Sequence, residues 1–180
     1  KRWLGKGPYR VWQNRLHGWH QILFGVRPRY STVFPIDRLR EPLRRLLSSH
    51  HFDVVVLQAL YVAELSDEIH GTPVILATEN VESEILRRDL GNASSPVHRV
   101  RDWLEWRKLK DYECKMVRRF RVLVAVSELD QQKLRAMAPM AEVQLVSNGV
   151  DTQAFAPRGS DREDNRILFF GTLNYGPNAE

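Results

Sequence analysis

Four short stretches join an apolar run to a polar turn: TEN at 78–80, SELD at 127–130, SNGVDTQAFAP at 147–157 and FFGT at 169–172. In a sheet of parallel strands such junctions collect the chemistry, because loops and helix N-termini meet there. Asn80 has the side chain of a helix N-cap as well as of a hydrogen-bonding site residue, and Glu82 and Glu84 behind it would complement a helix dipole. Ser127 opens an S-x-x-D capping box, which reads as structural rather than catalytic. Gly171 is the kind of residue that lets backbone amides approach a phosphate ahead of a helix. Asn148 and Gly149 follow the strand-like run at 142–146 and read as the turn that ends it.

Other chemistries find little support. His17 and His20 stand at helical i, i+3 spacing and His50 and His51 are adjacent, but no cysteine or carboxylate cluster joins either pair, so no metal site is expected. No serine or cysteine sits in a G-x-S-x-G elbow, which speaks against a hydrolase. The single cysteine, Cys114, has no partner for a disulfide or a CxxC ligand pair and reads as structurally inert.

The elements that would position these turns alternate regularly. The segment 39–47 reads as a basic amphipathic helix, FDVVVLQAL and PVILAT as strands, and 81–90 as helix. After the loop GNASSP a long helix spans 100–120, with Trp103, Trp106, Leu109, Tyr112, Met116 and Phe120 recurring every three or four residues. VLVAV, a helix at about 128–137 and EVQLV continue the rhythm. Strands apolar on both faces fit a doubly wound parallel sheet covered by helices, an α/β domain.

Composition agrees: 180 residues, 43% hydrophobic and 27% charged, are those of a globular chain. No apolar run approaches the roughly 20 residues of a membrane span, and the N-terminus lacks a signal-peptide core, so a cytoplasmic location is expected. The charge is uneven. Residues 1–51 hold 11 Lys or Arg against 2 Asp or Glu, interleaved with Trp3, Trp12 and Trp19. That suits either a surface resting on anionic lipid at the inner face of a membrane or a solvated helical face. Nucleic acid is not an expected partner, since no zinc-finger spacing, RNP-type strand or GXXG loop accompanies the charge. The polar run PRGSDREDNR reads as a linker into a fresh strand, RILFF.

In order, NVESEILRR, the long helix carrying DYE, VLVAVSELD, VQLVSNGVDTQAFAP and ILFFGTLNYGPN resemble glycosyltransferases of the GT-B fold, specifically the retaining family 4 or group 1 enzymes. The resemblance covers 52–180, and the NGVD segment with its following Phe, Pro, strand and Gly is its most specific part. It implies that 1–157 is the acceptor-side, Rossmann-like domain, its first strand missing. It further implies that 158–180 is a linker and the first βα unit of a truncated donor-binding domain, so that the piece alone would be inactive.

The resemblance also implies transfer of a sugar from a nucleotide-sugar, a substrate rather than a cofactor, to a glycan or lipid-linked acceptor, in cell-surface polysaccharide or glycolipid synthesis. Retention and independence of metal are part of that expectation. Asn148 and Gly149 would face the interdomain cleft, Gly149 in a conformation that a Cβ would strain, and Gly171 and Thr172 would lie on the donor diphosphate side. Where many members carry a His after the first strand and another before Asn80, this chain has Gln58 and Glu79; with Asn80, these are the catalytic candidates. A GT-B nucleotide-sugar epimerase and a non-enzymatic Rossmann-like binding domain are the alternative readings.

Overall fold

Runs of four or five residues rich in Val and Leu form the strands, and each is followed by a segment whose apolar residues recur at helical spacing. The computed structural model describes Pro28, residues 35–90 and 95–156, and Gly171. In chain order the elements are α1 Asp37–Ser49, β1 Val55–Gln58, a 3-10 helix Leu60–Glu68, β2 Val74–Thr78, α2 Glu82–Asp89, α3 Pro96–Val117, β3 Val122–Ala125, α4 Glu128–Met137 and β4 Glu142–Leu145. The expected α/β alternation is borne out. Two compact units divide the chain, one of residues Leu16–Ser147 and one that includes Asn148–Glu180.

All four strands are parallel and stand in the order β1-β2-β3-β4. An unreversed order joined by right-handed crossovers puts the connecting helices on a single face. The packing agrees: the 3-10 helix lies against β1 and β2, α4 against β3 and β4, and α3 touches both of these helices. Leu57, Leu76, Leu123 and Val143 are register partners across the sheet, and none exposes more than 7% of its surface. Burying one such leucine contributes about 2 kcal/mol. The other face is apolar on β2 and β3, with Ile75, Ala77, Val122 and Val124, as the sequence suggests, but β4 sets the exposed Glu142 and Gln144 there, and Val54 and Val56 of the β1 side remain 44% and 56% exposed. The described part of the sheet is thus the one-directional wing of a Rossmann-like fold.

Three local departures from the sequence reading have clear causes. The first strand is shorter than FDVVVLQAL, because at Ala59 the backbone turns sharply (φ 85°, ψ 148°) into the 3-10 helix, of which the sequence shows no sign. Trp103, expected on the buried stripe of the long helix, is 43% exposed, whereas Leu109, Tyr112, Met116 and Phe120 are buried. At the end of β4, Asn148 and Gly149 make no turn. The chain reverses instead at 152–155, where Asp151 Oδ1 accepts from the amides of Gln153 (2.9 Å) and Ala154 (3.0 Å) and its carbonyl accepts from Phe155 N (2.9 Å). The acid after Asn-Gly is therefore what shapes the turn, by the local capping typical of Asp.

Of the basic N-terminal region, the described part is α1. Its Arg40 and Arg44 reach Glu68 at the end of the 3-10 helix, at 2.7 and 2.6 Å, and these hydrogen bonds hold the Glu68 carboxyl below the usual carboxylate range. On α1, at least two of the cations serve the fold.

Candidate active site at the carboxyl edge of the sheet

Register brings the ends of β1 and β2 side by side, with Gln58 paired to Ala77, so the residue after β2 lies next to the end of β1. Gln58 Nε2 donates to Glu79 Oε1 at 2.7 Å, and both side chains are exposed. A carboxylate can only accept, so this bond fixes which way the Gln58 amide faces. The second carboxylate oxygen of Glu79 and the carbonyl of Gln58 keep acceptor capacity for a hydroxyl. Asn80 is exposed but caps nothing. The N-cap of α2 is Val81, with no side-chain cap bond of its own.

A distant residue supplies the missing cap. Glu113 of α3, only 2% exposed, accepts from the amides of Glu82 (2.8 Å) and Ser83 (3.2 Å) and from Ser83 Oγ (2.5 Å). Burial pushes its carboxyl up from the usual range, and the nearby Glu84 pushes the same way, against the three hydrogen bonds that favour the ionised form. The bonds pin the start of α2, and Val81, 1% exposed, anchors the loop from below. Together they set where Glu79 stands. Glu82 and Glu84 do occupy the first turn of α2, where they complement its dipole. One helical turn before the end of α3, Tyr112 OH donates to the buried Glu64 of the 3-10 helix at 3.0 Å, tying that helix to the same scaffold.

Ala59 follows Gln58 directly, and its φ and ψ lie in a region populated almost only by glycine. The Ala59 amide donates to Ala77 O at 2.8 Å, so the last rung of the ladder holds the distortion in place. Relief of such strain is worth about 1–3 kcal/mol, more than the entropy glycine adds to the unfolded chain, about 0.5–1 kcal/mol. Ala59→Gly is therefore expected to stabilise the protein by about 1 kcal/mol and to raise its thermal midpoint by about 2–4 °C. A lower midpoint in a thermal melt would mean that Ala59 is not strained.

The remaining candidates are placed as follows. Ser127 caps α4, accepting from Asp130 N at 3.1 Å and donating to Asp130 Oδ2 at 2.7 Å, as the capping reading expects. Cys114 is a free thiol that partial burial pushes above its ordinary value, which suits an inert role. In the other unit, Gly149 does not have the left-handed φ expected of it, and a Cβ there would meet nothing within 4 Å. The strain argued for Gly149 is thus absent in this chain. Gly171 is exposed, and Thr172 lies outside the described residues. Of the seven candidates, the structure brings Gln58 and Glu79 together. Among the described residues no group of three or more His, Cys, Asp or Glu is arranged to hold a metal ion.

The model of Glycosyltransferase Family 4 matches residues 5–154, which takes in every strand and helix above. The chain belongs to glycosyltransferase family 4. No curated protein matches it. For a family 4 glycosyltransferase the carboxyl edge of this sheet is the natural place for chemistry, and there the Gln58–Glu79 pair stands exposed. The role of Glu113 could have been suspected from the sequence, since an acid beside Tyr112 and Met116 on the buried face of a helix needs a partner. Ala59 gives no such signal, because an alanine does not announce a glycine-like conformation. Among the described residues no helix is long and apolar enough to cross a membrane.

Proposed function

We propose that this chain is the acceptor-side part of an enzyme that transfers a sugar from a nucleotide-sugar to an acceptor hydroxyl, with retention at the anomeric carbon. The observation that carries the reading is the exposed, hydrogen-bonded Gln58–Glu79 pair at the carboxyl edge of a family 4 sheet. Glu79 would accept the hydrogen bond of the incoming hydroxyl, and Gln58 would hold the carboxylate in place. Orientation of that kind lowers a barrier without covalent chemistry by the protein. The donor phosphates would be met by amides and basic side chains of the donor-binding domain, with Gly171 and Thr172 at its first loop and Asn148 and Gly149 on the way to it. The acceptor would be a glycan or a lipid-linked sugar in the synthesis of a surface polysaccharide or glycolipid.

The test uses the full-length enzyme, a panel of labelled nucleotide-sugars and glycan or lipid-linked acceptors, with product stereochemistry read by NMR. Transfer to the acceptor with the donor's anomeric configuration is the expected result. Conversion of the nucleotide-sugar into its epimer without acceptor would replace this reading with an epimerase. Binding without turnover of any donor would leave a non-enzymatic domain.

A further inference from the structure

The helix α3 is 22 residues long, about 33 Å, whereas β3 spans four residues, about 13 Å. Its C-terminus leads directly into β3, and Glu113 near that end is bonded to Ser83, just past the carboxyl end of β2. The first turns of α3 therefore lie about 15–24 Å further along the helix axis, beyond the carboxyl edge of the sheet. There Val97, Val100 and Trp103 succeed one another at i, i+3 spacing on one face, 60%, 58% and 43% exposed. Arg107 stands on the same face, 5.7 Å from the Trp103 ring centroid in a cation-π contact, and the exposed Arg99 and Lys110 flank that face on its Trp103 side, Lys110 lying 5.3 Å from the Trp106 ring centroid. Asp111 is the exposed acid on this face; Asp102 points elsewhere and is paired with Arg101 at 2.7 Å.

A solvated face does not need three adjacent large apolar side chains, and a core face would bury them. We infer that the projecting end of α3 docks on an anionic lipid surface, with Val97, Val100 and Trp103 entering the headgroup region and Arg99, Arg107 and Lys110 meeting the lipid phosphates. Valines and a tryptophan flanked by cations are the composition of an interfacial helix, and the charge complements an acidic bilayer. Lipid contact, read from the sequence in residues 1–51, is thereby assigned to a second surface. Docking there would bring the carboxyl edge of the sheet towards a lipid-linked acceptor. That last consequence rests on the proposed transfer, but the docking itself does not.

The experiment is co-sedimentation of the full-length enzyme with vesicles of phosphatidylcholine alone and with about a third phosphatidylglycerol, in the absence of any donor. Binding is expected on the anionic vesicles only, falling about fivefold for each cation removed in Arg99→Gln and Arg107→Gln, and falling as salt is raised to about 0.5 M. Val97→Asp with Val100→Asp should abolish it. These residues are exposed, so circular dichroism of the variants should match the parent. Trp103→Ala, which adds no charge, should weaken binding at least several-fold. Equal binding to both vesicle types, none to either as for a protein-docking face, or binding unchanged in the folded variants would overturn the inference. Each of these results is read without turnover, so a failure here is distinct from a failure of the transferase reading.

Discussion

Glu113→Ala is expected to lower the stability of the protein by about 4 kcal/mol, although the residue lies on no strand and is almost wholly buried. Its carboxylate is the acceptor for three donors, the amides of Glu82 and Ser83 and the Ser83 hydroxyl. Each buried donor left unpaired costs about 1–3 kcal/mol, and a loop that relaxes towards water would recover part of the sum. The thermal midpoint should fall by about 10 °C, at about 2–4 °C per kcal/mol for a chain of this size. Glu113→Gln keeps one carbonyl acceptor and should cost about half as much, and Ser83→Ala, which removes a donor rather than the acceptor, about 1 kcal/mol. An alanine variant as stable as the parent would show that α2 does not depend on this cap.

The pH dependence offers a second reading of the same group. Burial raises the folded-state value of Glu113 above its unfolded value, near 4.3, so folding favours the protonated form. Its contribution is therefore fully present below about pH 4.3 and declines as the pH rises through the folded value. Glu113→Gln, which cannot ionise, should flatten the stability profile on that side. Glu68 acts in the opposite sense: Arg44 and Arg40 depress it, so its contribution is present above the unfolded value and lost as the pH falls.

How far the sequence carries is clearest residue by residue. The first three strands are legible because each lies in a short apolar run, β4 because Val143 and Leu145 alternate with polar residues, and α4 because Ser127 and Asp130 announce its start within four residues. Both signals are local. The cap of α2 is not legible, since its acceptor lies 30 residues downstream of Ser83 and a nearer residue, Asn80, has the right chemistry but makes no cap bond. Tyr112 and Glu64, 48 residues apart, pair in the same non-local way. The Asn-Gly pair misleads for a different reason: either residue can turn the chain, but Asp151 supplies an acceptor that turns it three residues later. Gln58 and Glu79 each stand out in the sequence as a departure from the family's histidines. Only the parallel register of β1 and β2 shows that the two departures are one pair.

If that pair handles the acceptor, Glu79→Ala in the full-length enzyme should lower transfer between about tenfold and a hundredfold while leaving the fold intact. The two effects separate because of where the pair lies. Both side chains are exposed, so their bond contributes on the order of 0.5 kcal/mol to stability, and the thermal midpoint should move by no more than about 2 °C. A hydrogen bond that the reacting hydroxyl donates to a charged acceptor is worth about 1.5–3 kcal/mol, and 1.4 kcal/mol is a factor of ten in rate. Gln58→Ala frees the Glu79 carboxylate without removing it, so it should cost less, about threefold to tenfold, with the loss in kcat rather than in KM for the donor. Asn80→Ala is the control: Asn80 is equally exposed and close in sequence, but it neither caps α2 nor joins the pair, and its removal should change transfer by less than about twofold. Steady-state kinetics of the three variants decide the matter. If Glu79→Ala transfers as fast as the parent, the pair is a surface contact at the edge of the sheet, and the acceptor is held by other residues.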